Sequence, residues 1–134
     1  MTIRKNITIM AVAAFMLAAC QESLEDRCIR ECRQYTQKNC PARFDDNTIL
    51  DSMTFDRATH TLHYYFTLAG TADSIGVLNE AEARKALLGE LRNSTATKHY
   101  KDKGYSFAYT YHSQSRPDLV LYDLLLTKKD YTKK

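Results

Sequence analysis

Two segments of this chain alternate between apolar and polar side chains over eight residues, and this two-residue period limits most strongly how the chain can fold. Residues 61–68 (TLHYYFTL) place one apolar set on a single side, namely Leu62, Tyr64, Phe66 and Leu68. Residues 105–112 (YSFAYTYH) do the same with Tyr105, Phe107, Tyr109 and Tyr111. Successive side chains of a strand point to opposite faces, so both segments are predicted to be strands with one buried face.

Two further strands are predicted at residues 49–56 and 119–127. The link at residues 57–60 is short enough for a hairpin, and residues 113–118 are predicted to form a second turn. The element order is then helix, strand, strand, helix, strand, strand. Two hairpins around a helix favour an α+β fold in which a four-stranded antiparallel sheet carries its helices on one face.

The two helices of this arrangement are predicted at residues 21–40 and from Asn79 to about residue 93. The first has a single apolar stripe at helical spacing, formed by Leu24, Cys28, Cys32 and Tyr35. Ser23 with Asp26, and Asn79 with Glu82, are predicted to cap the two helices at their starts.

The N-terminus has the pattern of an export signal. Residues 7–19 are apolar and follow Arg4 and Lys5, but 13 residues are too few to cross a bilayer, which needs about 20 in a helix. A signal peptide is therefore predicted. It ends in Leu17-Ala18-Ala19-Cys20, which resembles the bacterial lipobox. The resemblance implies cleavage before Cys20 and acylation of Cys20, for example with palmitate.

A mature protein of this kind is held at a membrane by several acyl chains, which bind far more firmly than one. Gln21 stands where an aspartate would signal retention at the inner membrane, so the outer membrane is favoured. Removing residues 1–19 takes away two basic residues and no acid, so the formal net charge falls from +3 to +1. So small a charge does not indicate a nucleic-acid partner.

The chain is accordingly divided into four parts. Residues 1–19 are the lipoprotein signal peptide, and residues 20–47 are the lipidated N-terminus with its amphipathic helix. Residues 48–127 are a small α+β domain, and residues 128–134 are a basic tail that is expected to fray.

The middle of the chain also resembles a family of small exported lipoproteins of unknown function from Bacteroidetes-type Gram-negative bacteria. The residues that carry this resemblance are Asn39-Cys40-Pro41, Phe44-Asp45, Thr48-Ile49-Leu50, Ser52, Phe55-Asp56, residues 62–68, residues 100–104 and residues 107–111. These are structural signatures within residues 35–112. The resemblance implies an envelope location and a small α+β fold, and it implies no active site.

Three cysteines follow Cys20. An exported protein meets an oxidising compartment, but an odd number leaves at least one thiol free or paired between molecules. Cys28 and Cys32 lie on one helical face, where a bridge between them would be strained. The preferred disulfide, if one forms, joins Cys32 to Cys40, while Cys28 is expected to be a small buried side chain. A zinc site would need a fourth ligand and different spacing.

No catalytic motif, cofactor or metal ligand set is predicted. The chain lacks a nucleophile elbow, a zinc-protease motif and a phosphate-binding glycine loop. His60 and His63 are expected on opposite faces, which disfavours a metal pair. Asp45 and Asp46 are interpreted as turn residues rather than as an acid–base pair.

The aromatic residues allow two interpretations. They are expected to form a ladder across neighbouring strands as a tyrosine-rich core, with a recognition surface for a glycan or peptide as the alternative. Tyr65, on the polar side of its strand, is the best candidate for an exposed contact. Asp73-Ser74-Ile75, and less favourably Asp51-Ser52-Met53, resemble acceptor patterns for bacterial O-glycosylation, so Ser74 is a candidate modification site.

The function expected from these patterns is a non-enzymatic accessory or interaction role at the cell envelope, with a protein or glycan as partner. One alternative is an inhibitor-like module that binds a peptide or a glycan. The other is a small hydrolase whose site residues are dispersed in the sequence, because catalytic groups need only converge in space.

Overall fold

We describe the protein from a computed structural model, in which residues 22–133 are described. The predicted signal peptide and Cys20 lie outside these residues. The helices are α1 (Leu24–Asn39), α2 (Glu80–Asn93), α3 (Lys98–Asp102) and α4 (Lys128–Thr132), with a 3-10 turn at Gly70–Ala72. The strands are β1 (Ala42–Asp45), β2 (Thr48–Asp56), β3 (Thr61–Leu68), β4 (Ser106–Ser113) and β5 (Val120–Leu126).

The fold is α+β as predicted, but the sheet differs from the expected four antiparallel strands. It has five strands in the order β1-β2-β3-β4-β5. The neighbours β3 and β4 are parallel, with Tyr64 opposite Tyr109 and Phe66 opposite Tyr111, while the other three pairs are antiparallel. The prediction of an all-antiparallel sheet was therefore wrong.

The parallel pair follows from the long connection between its strands. Residues 69–105 hold α2 and α3, and parallel neighbours need a crossover of this kind, whereas a tight turn can join only antiparallel neighbours. The missed strand β1 is only four residues long and pairs with β2 across a turn at Asp46 and Asn47. So short a strand carries too little alternation to be recognised.

The predicted caps of the two long helices are confirmed. The Ser23 hydroxyl accepts a hydrogen bond from the Asp26 amide at 3.1 Å, and the Asn79 side chain accepts one from the Glu82 amide at 3.1 Å. The short helices α3 and α4 were not expected. Helix α4 forms where a frayed tail was predicted, because Thr127 and Asp130 make a reciprocal capping box and Tyr131 is buried.

One face of the sheet is covered by the helices and forms the core. Its aromatic rings stack between the parallel strands, at 5.1 Å between the centroids of Tyr64 and Tyr109 and at 4.6 Å between Phe66 and Tyr111. Phe107 at the centre is fully buried. The helices add Cys28, Cys32, Leu88, Leu91, Tyr100 and Tyr131 to the same cluster. The interpretation of the tyrosines as a core ladder is confirmed.

Among residues 22–133, no helix combines the length and the apolar character needed to cross a membrane.

Candidate functional site

The most enclosed apolar depression in the described structure is a cleft between helix α1 and the covered face of the sheet, which we call the helix–sheet cleft. Its volume is about 310 Å³. Three groups of residues line it: Cys28, Glu31 and Tyr35 from α1; Leu50, Met53, Leu62 and Tyr64 from the strands; and Ser94, Ala96, Thr97 and Tyr100 from the end of the crossover. Most of this lining is apolar, as expected of a surface that receives an apolar segment or ligand.

Near the cleft, α1 is held to strand β2 by a reciprocal pair of hydrogen bonds. The Thr36 hydroxyl accepts a hydrogen bond from the Met53 amide at 3.0 Å and donates one to the Met53 carbonyl at 3.3 Å. Cys28 and Cys32 pack into the core on the same side of the helix. Helix α3 and the loop before it close the other wall.

One ionised group stands at the wall of the cleft. The Glu31 carboxylate accepts hydrogen bonds from the Tyr100 hydroxyl at 2.6 Å and from Arg27 Nε at 2.8 Å. Burial raises the pKa of Glu31, but these two donors outweigh it and hold the pKa below its ordinary value. Burial, followed by the hydrogen bond to Glu31, raises the pKa of Tyr100. At neutral pH the wall of the cleft therefore carries an ionised carboxylate that is paired with the Arg27 guanidinium and lies beside apolar side chains.

The hydrogen bond between the Cys28 and Cys32 thiols lowers the pKa of Cys32, and burial offsets part of that effect. A hydrogen bond to Cys32, together with burial, raises the pKa of Cys28. Burial and the nearby Asp51 carboxylate raise the pKa of Cys40. All three thiols are free in the structure, with Cys28 and Cys32 buried and Cys40 half-buried. The Cys32–Cys40 disulfide stays a prediction.

The opposite face of the sheet carries a polar network that includes Tyr65. The Thr110 hydroxyl donates to Asp123 Oδ1 at 2.7 Å, so its oxygen accepts from His63 Nε2, also at 2.7 Å. The His63 ring stacks on Tyr65 with 4.0 Å between centroids. Burial lowers the pKa of His63, and the Asp123 carboxylate offsets part of that effect. We call this surface the open face. The helical side chains that belong to the core cluster of the described residues pack on the opposite, covered face.

Other candidates from the sequence lie apart from both surfaces. Ser74 is exposed, and Asp73 beside it accepts hydrogen bonds from Ser113 and from the Ser115 amide. His60 stacks on Tyr105 and contacts Glu25 at 2.5 Å, away from His63. In the described part of the chain, no three metal-binding side chains of the His, Cys, Asp or Glu type cluster together. Asp45 accepts from the Asn47 amide, as a turn residue does.

Sequence reasoning missed the charged wall of the cleft. Neither Glu31 nor Tyr100 was among the site residues predicted from the sequence. Glu31 and Tyr100 are 69 positions apart, and no local sequence pattern relates them. The Tyr100 hydroxyl comes within 2.6 Å of the Glu31 carboxylate only when the crossover is folded against α1. The stripe that holds Cys28 and Tyr35 was the one available signal, because it marked the side of α1 that faces the sheet.

Three solved structures share this fold at low sequence identity. A protein from Pseudomonas aeruginosa that is assigned as secreted has a TM-score of 0.64 at 10% identity, over 83% of this chain and 99% of that one. The pilotin EpsS of the Vibrio vulnificus type 2 secretion system has a TM-score of 0.66 at 9% identity, over 83% and 94%. The type II secretion pilotin AspS from Vibrio cholerae has a TM-score of 0.58 at 14% identity, over 85% and 97%.

A comparison with curated protein sequences gives no match. A family model does match, from residue 23 in the N-cap of α1 to residue 122 in β5, and its description is "Domain of unknown function (DUF8479)". The match includes all of residues 35–112, over which a resemblance to an exported family was expected, and it also takes in α1. The chain belongs to the DUF8479 family.

Proposed function

We propose that this protein is a lipid-anchored accessory protein of the cell envelope that holds an apolar segment of a partner protein in the helix–sheet cleft. It acts by binding and not by catalysis. Acyl chains on Cys20 keep the folded domain at the outer membrane, and the cleft receives the partner.

The cleft is the observation that carries this proposal. Its walls are apolar side chains such as Leu50, Met53 and Leu62, and the Glu31 carboxylate stands among them. A peptide segment with one apolar side and a hydrogen-bond donor matches both features, because its apolar side chains leave water and the Glu31 carboxylate, already paired with Arg27, has lone pairs for a further hydrogen bond. A segment of this kind belongs to a protein partner rather than to a small polar substrate.

The fold comparison supports the same class of role. Two of the similar structures are pilotins of type 2 secretion systems, and the third is assigned as secreted. At 9–14% identity, this likeness concerns the fold, so a pilotin-like role for this chain is part of the proposal. It is consistent with the lipobox that ends in Cys20.

The test is to fill the cleft without removing any of its groups. Ala96 lines the cleft and is exposed, so Ala96→Trp places an indole in the opening. Ala81→Trp makes the same change on an exposed turn of α2, outside the cleft. The acylated proteins are incubated with detergent-solubilised envelope from their own source, and bound proteins are quantified by mass spectrometry.

We expect one partner to be depleted at least tenfold by Ala96→Trp and to be retained by Ala81→Trp. Glu31→Gln should weaken the same partner by a smaller factor, because it removes the charge and keeps the shape. Equal recovery with both tryptophan variants would exclude the cleft as the binding site. A substrate turnover that is lost in Ala96→Trp would contradict the non-enzymatic role.

A second candidate function is supported by the open face. The stacked rings of His63 and Tyr65 present a half-buried aromatic surface on the same face as the Thr67 hydroxyl, which donates to the Asp51 carboxylate at 2.6 Å. Sugars bind to such combinations of a ring face and hydrogen-bonding groups. On this proposal, Tyr65→Ala weakens binding on a glycan array without lowering the melting temperature. Unchanged glycan binding by Tyr65→Ala would exclude this second candidate function.

Three proposed modifications are read out together by mass spectrometry of the protein purified from its native membranes. These are cleavage and acylation at Cys20, a Cys32–Cys40 disulfide, and a glycan on Ser74. Ser74 is exposed, which is the access that a transferase needs. An intact mass that fits an unacylated chain would contradict the anchor.

A further inference from the structure

We propose that three lysines, Lys103, Lys128 and Lys129, form a rim that rests on the anionic phospholipid headgroups of the bilayer in which the protein is anchored. This inference rests on the proposed acylation of Cys20. It adds an orientation, because a rim of this kind decides which side of the folded domain faces the membrane.

The three lysines lie at the end of the molecule where the chain leads back to Cys20, which we call the anchor end. Glu25, in the first turn of α1, contacts His60 in the β2–β3 hairpin at 2.5 Å. The His60 ring stacks on Tyr105 with 5.3 Å between centroids. Gly104, at φ 77°, lies so close to Lys128 that an added Cβ would stand 3.2 Å from its Cδ. A continuous series of contacts thus joins the start of α1 to the rim.

The tether to the membrane is short. Cys20 precedes Leu24, the first residue of α1, by four positions. A chain of four residues spans at most about 14 Å even when it is fully extended. The start of α1 is therefore never far from the headgroups, and the anchor end is the part of the domain that meets them most often.

The carboxylates at the anchor end already have partners. Glu22 pairs with Arg30 at 2.5 Å, and Arg57 pairs with both Glu25, at 3.1 Å, and Asp26. The fourth carboxylate of this end, Asp56, accepts a hydrogen bond from the Ala58 amide at 2.8 Å. Two arginines thus offset half of the charge of these four carboxylates, which reduces the repulsion from an anionic surface.

The rim lysines have no such partner among residues 22–133. Their side chains are exposed, and none takes part in the ion pairs of the described structure. The nearby acids are engaged elsewhere, since Asp102 pairs with Lys98 at 2.9 Å and Asp130 with Arg84 at 2.9 Å. Each basic residue close to an anionic membrane surface raises the membrane-binding constant by a factor of about five.

The experiment measures lysine accessibility in the acylated protein. The protein is placed in vesicles of phosphatidylcholine alone or with phosphatidylglycerol, and the rate of amine acetylation is followed at each lysine by mass spectrometry. We expect the rates at Lys103, Lys128 and Lys129 to fall about fivefold in the anionic vesicles. Lys38, at the C-terminal end of α1, and Lys85 in α2 serve as internal controls that should not change. High salt should restore the rim rates, because salt screens surface charge.

A matched pair of variants tests whether the rim itself is responsible. In Lys103→Glu/Lys128→Glu, the remaining Lys129 should lose its protection. In Lys38→Glu/Arg116→Glu, which makes the same change in net charge at the other end, Lys129 should stay protected. Equal acetylation of the rim in both vesicle types, or equal loss in both variants, overturns the proposal. A native protein without acyl chains would instead contradict the proposed anchor.

Discussion

The covered face and the open face of the sheet are built from alternate residues of the same strands, yet they bury their side chains by different means. On the covered face, rings such as Phe107, Tyr109 and Tyr111 pack on one another and on the helices, and burial raises the pKa values of both tyrosines. On the open face, Thr110 is 6% exposed although no helix within residues 22–133 covers it, because His63 and Asp123 hydrogen-bond to its hydroxyl.

The difference shows which kind of interaction holds each face. The covered face depends on apolar area and on close packing, where a lost ring leaves a cavity. The open face depends on a few hydrogen bonds whose net contribution is modest, because water competes for the same groups. Stability should therefore be concentrated on the covered face, and substitutions on the open face should leave the fold intact.

The largest effect is expected from Phe107→Ala. The ring is fully buried between the sheet and Tyr131, which it meets edge-on with 5.8 Å between centroids. Its removal should lower the free energy of unfolding by about 3–5 kcal/mol, measured by urea denaturation. Leu125→Ala on β5 is the control, since Leu125 is 55% exposed and should cost less than about 0.5 kcal/mol. Similar losses of stability for both variants would show that the buried rings of the covered face do not contribute most of the stability.

A smaller effect is expected from Thr110→Val, which keeps the shape of the side chain and removes the hydroxyl that joins His63 to Asp123. The free energy of unfolding should fall by about 1–2 kcal/mol, because two polar partners lose a hydrogen bond. Thr54→Val, exposed on strand β2, which is separated from β4 by β3, is the matched control and should be close to neutral. A loss as large as that of Phe107→Ala would mean that the open face is also part of the stability core.

The smallest effect concerns pH. The folded pKa of His63 lies below its ordinary value of 6.5, so the unfolded state binds a proton at higher pH than the folded state does. The stability contributed at this site is present above that value and is lost as the pH falls through it toward the folded pKa. The urea midpoint of the wild type should decline from pH 7.5 to 5.5, and His63→Gln should reduce that decline. His99→Gln, at an exposed residue, should leave the decline unchanged.

Local patterns accounted for most elements but not for their arrangement. The strands at residues 61–68 and 106–113 were visible from their alternation, and the caps Ser23 and Asn79 from single residue types. The parallel pairing of β3 with β4 was not visible, because a hairpin partner and a crossover partner show the same alternation. Helix α4 was missed since its stability comes from burial of Tyr131, a tertiary contact in a segment that is otherwise basic.

The candidate site shows the same division. The apolar stripe of α1 indicated which side of the helix would face the sheet, and it contains Cys28 and Tyr35 of the cleft. The charged wall was hidden, since Glu31 and Tyr100 are 69 residues apart and become neighbours only in the folded chain. Glu25 and His60 are also distant in sequence from the lysine rim of the anchor end.

The sequence by itself determined the α+β class and the two strand faces, and it predicts an export signal that ends in Cys20. These depend on side-chain periods and short motifs that act within a few residues. Only the tertiary structure decided the strand order, the helix–sheet cleft and the meeting of charged groups from distant segments. Those depend on which surfaces bury the most apolar area together, a choice made among contacts that no local stretch of the chain contains.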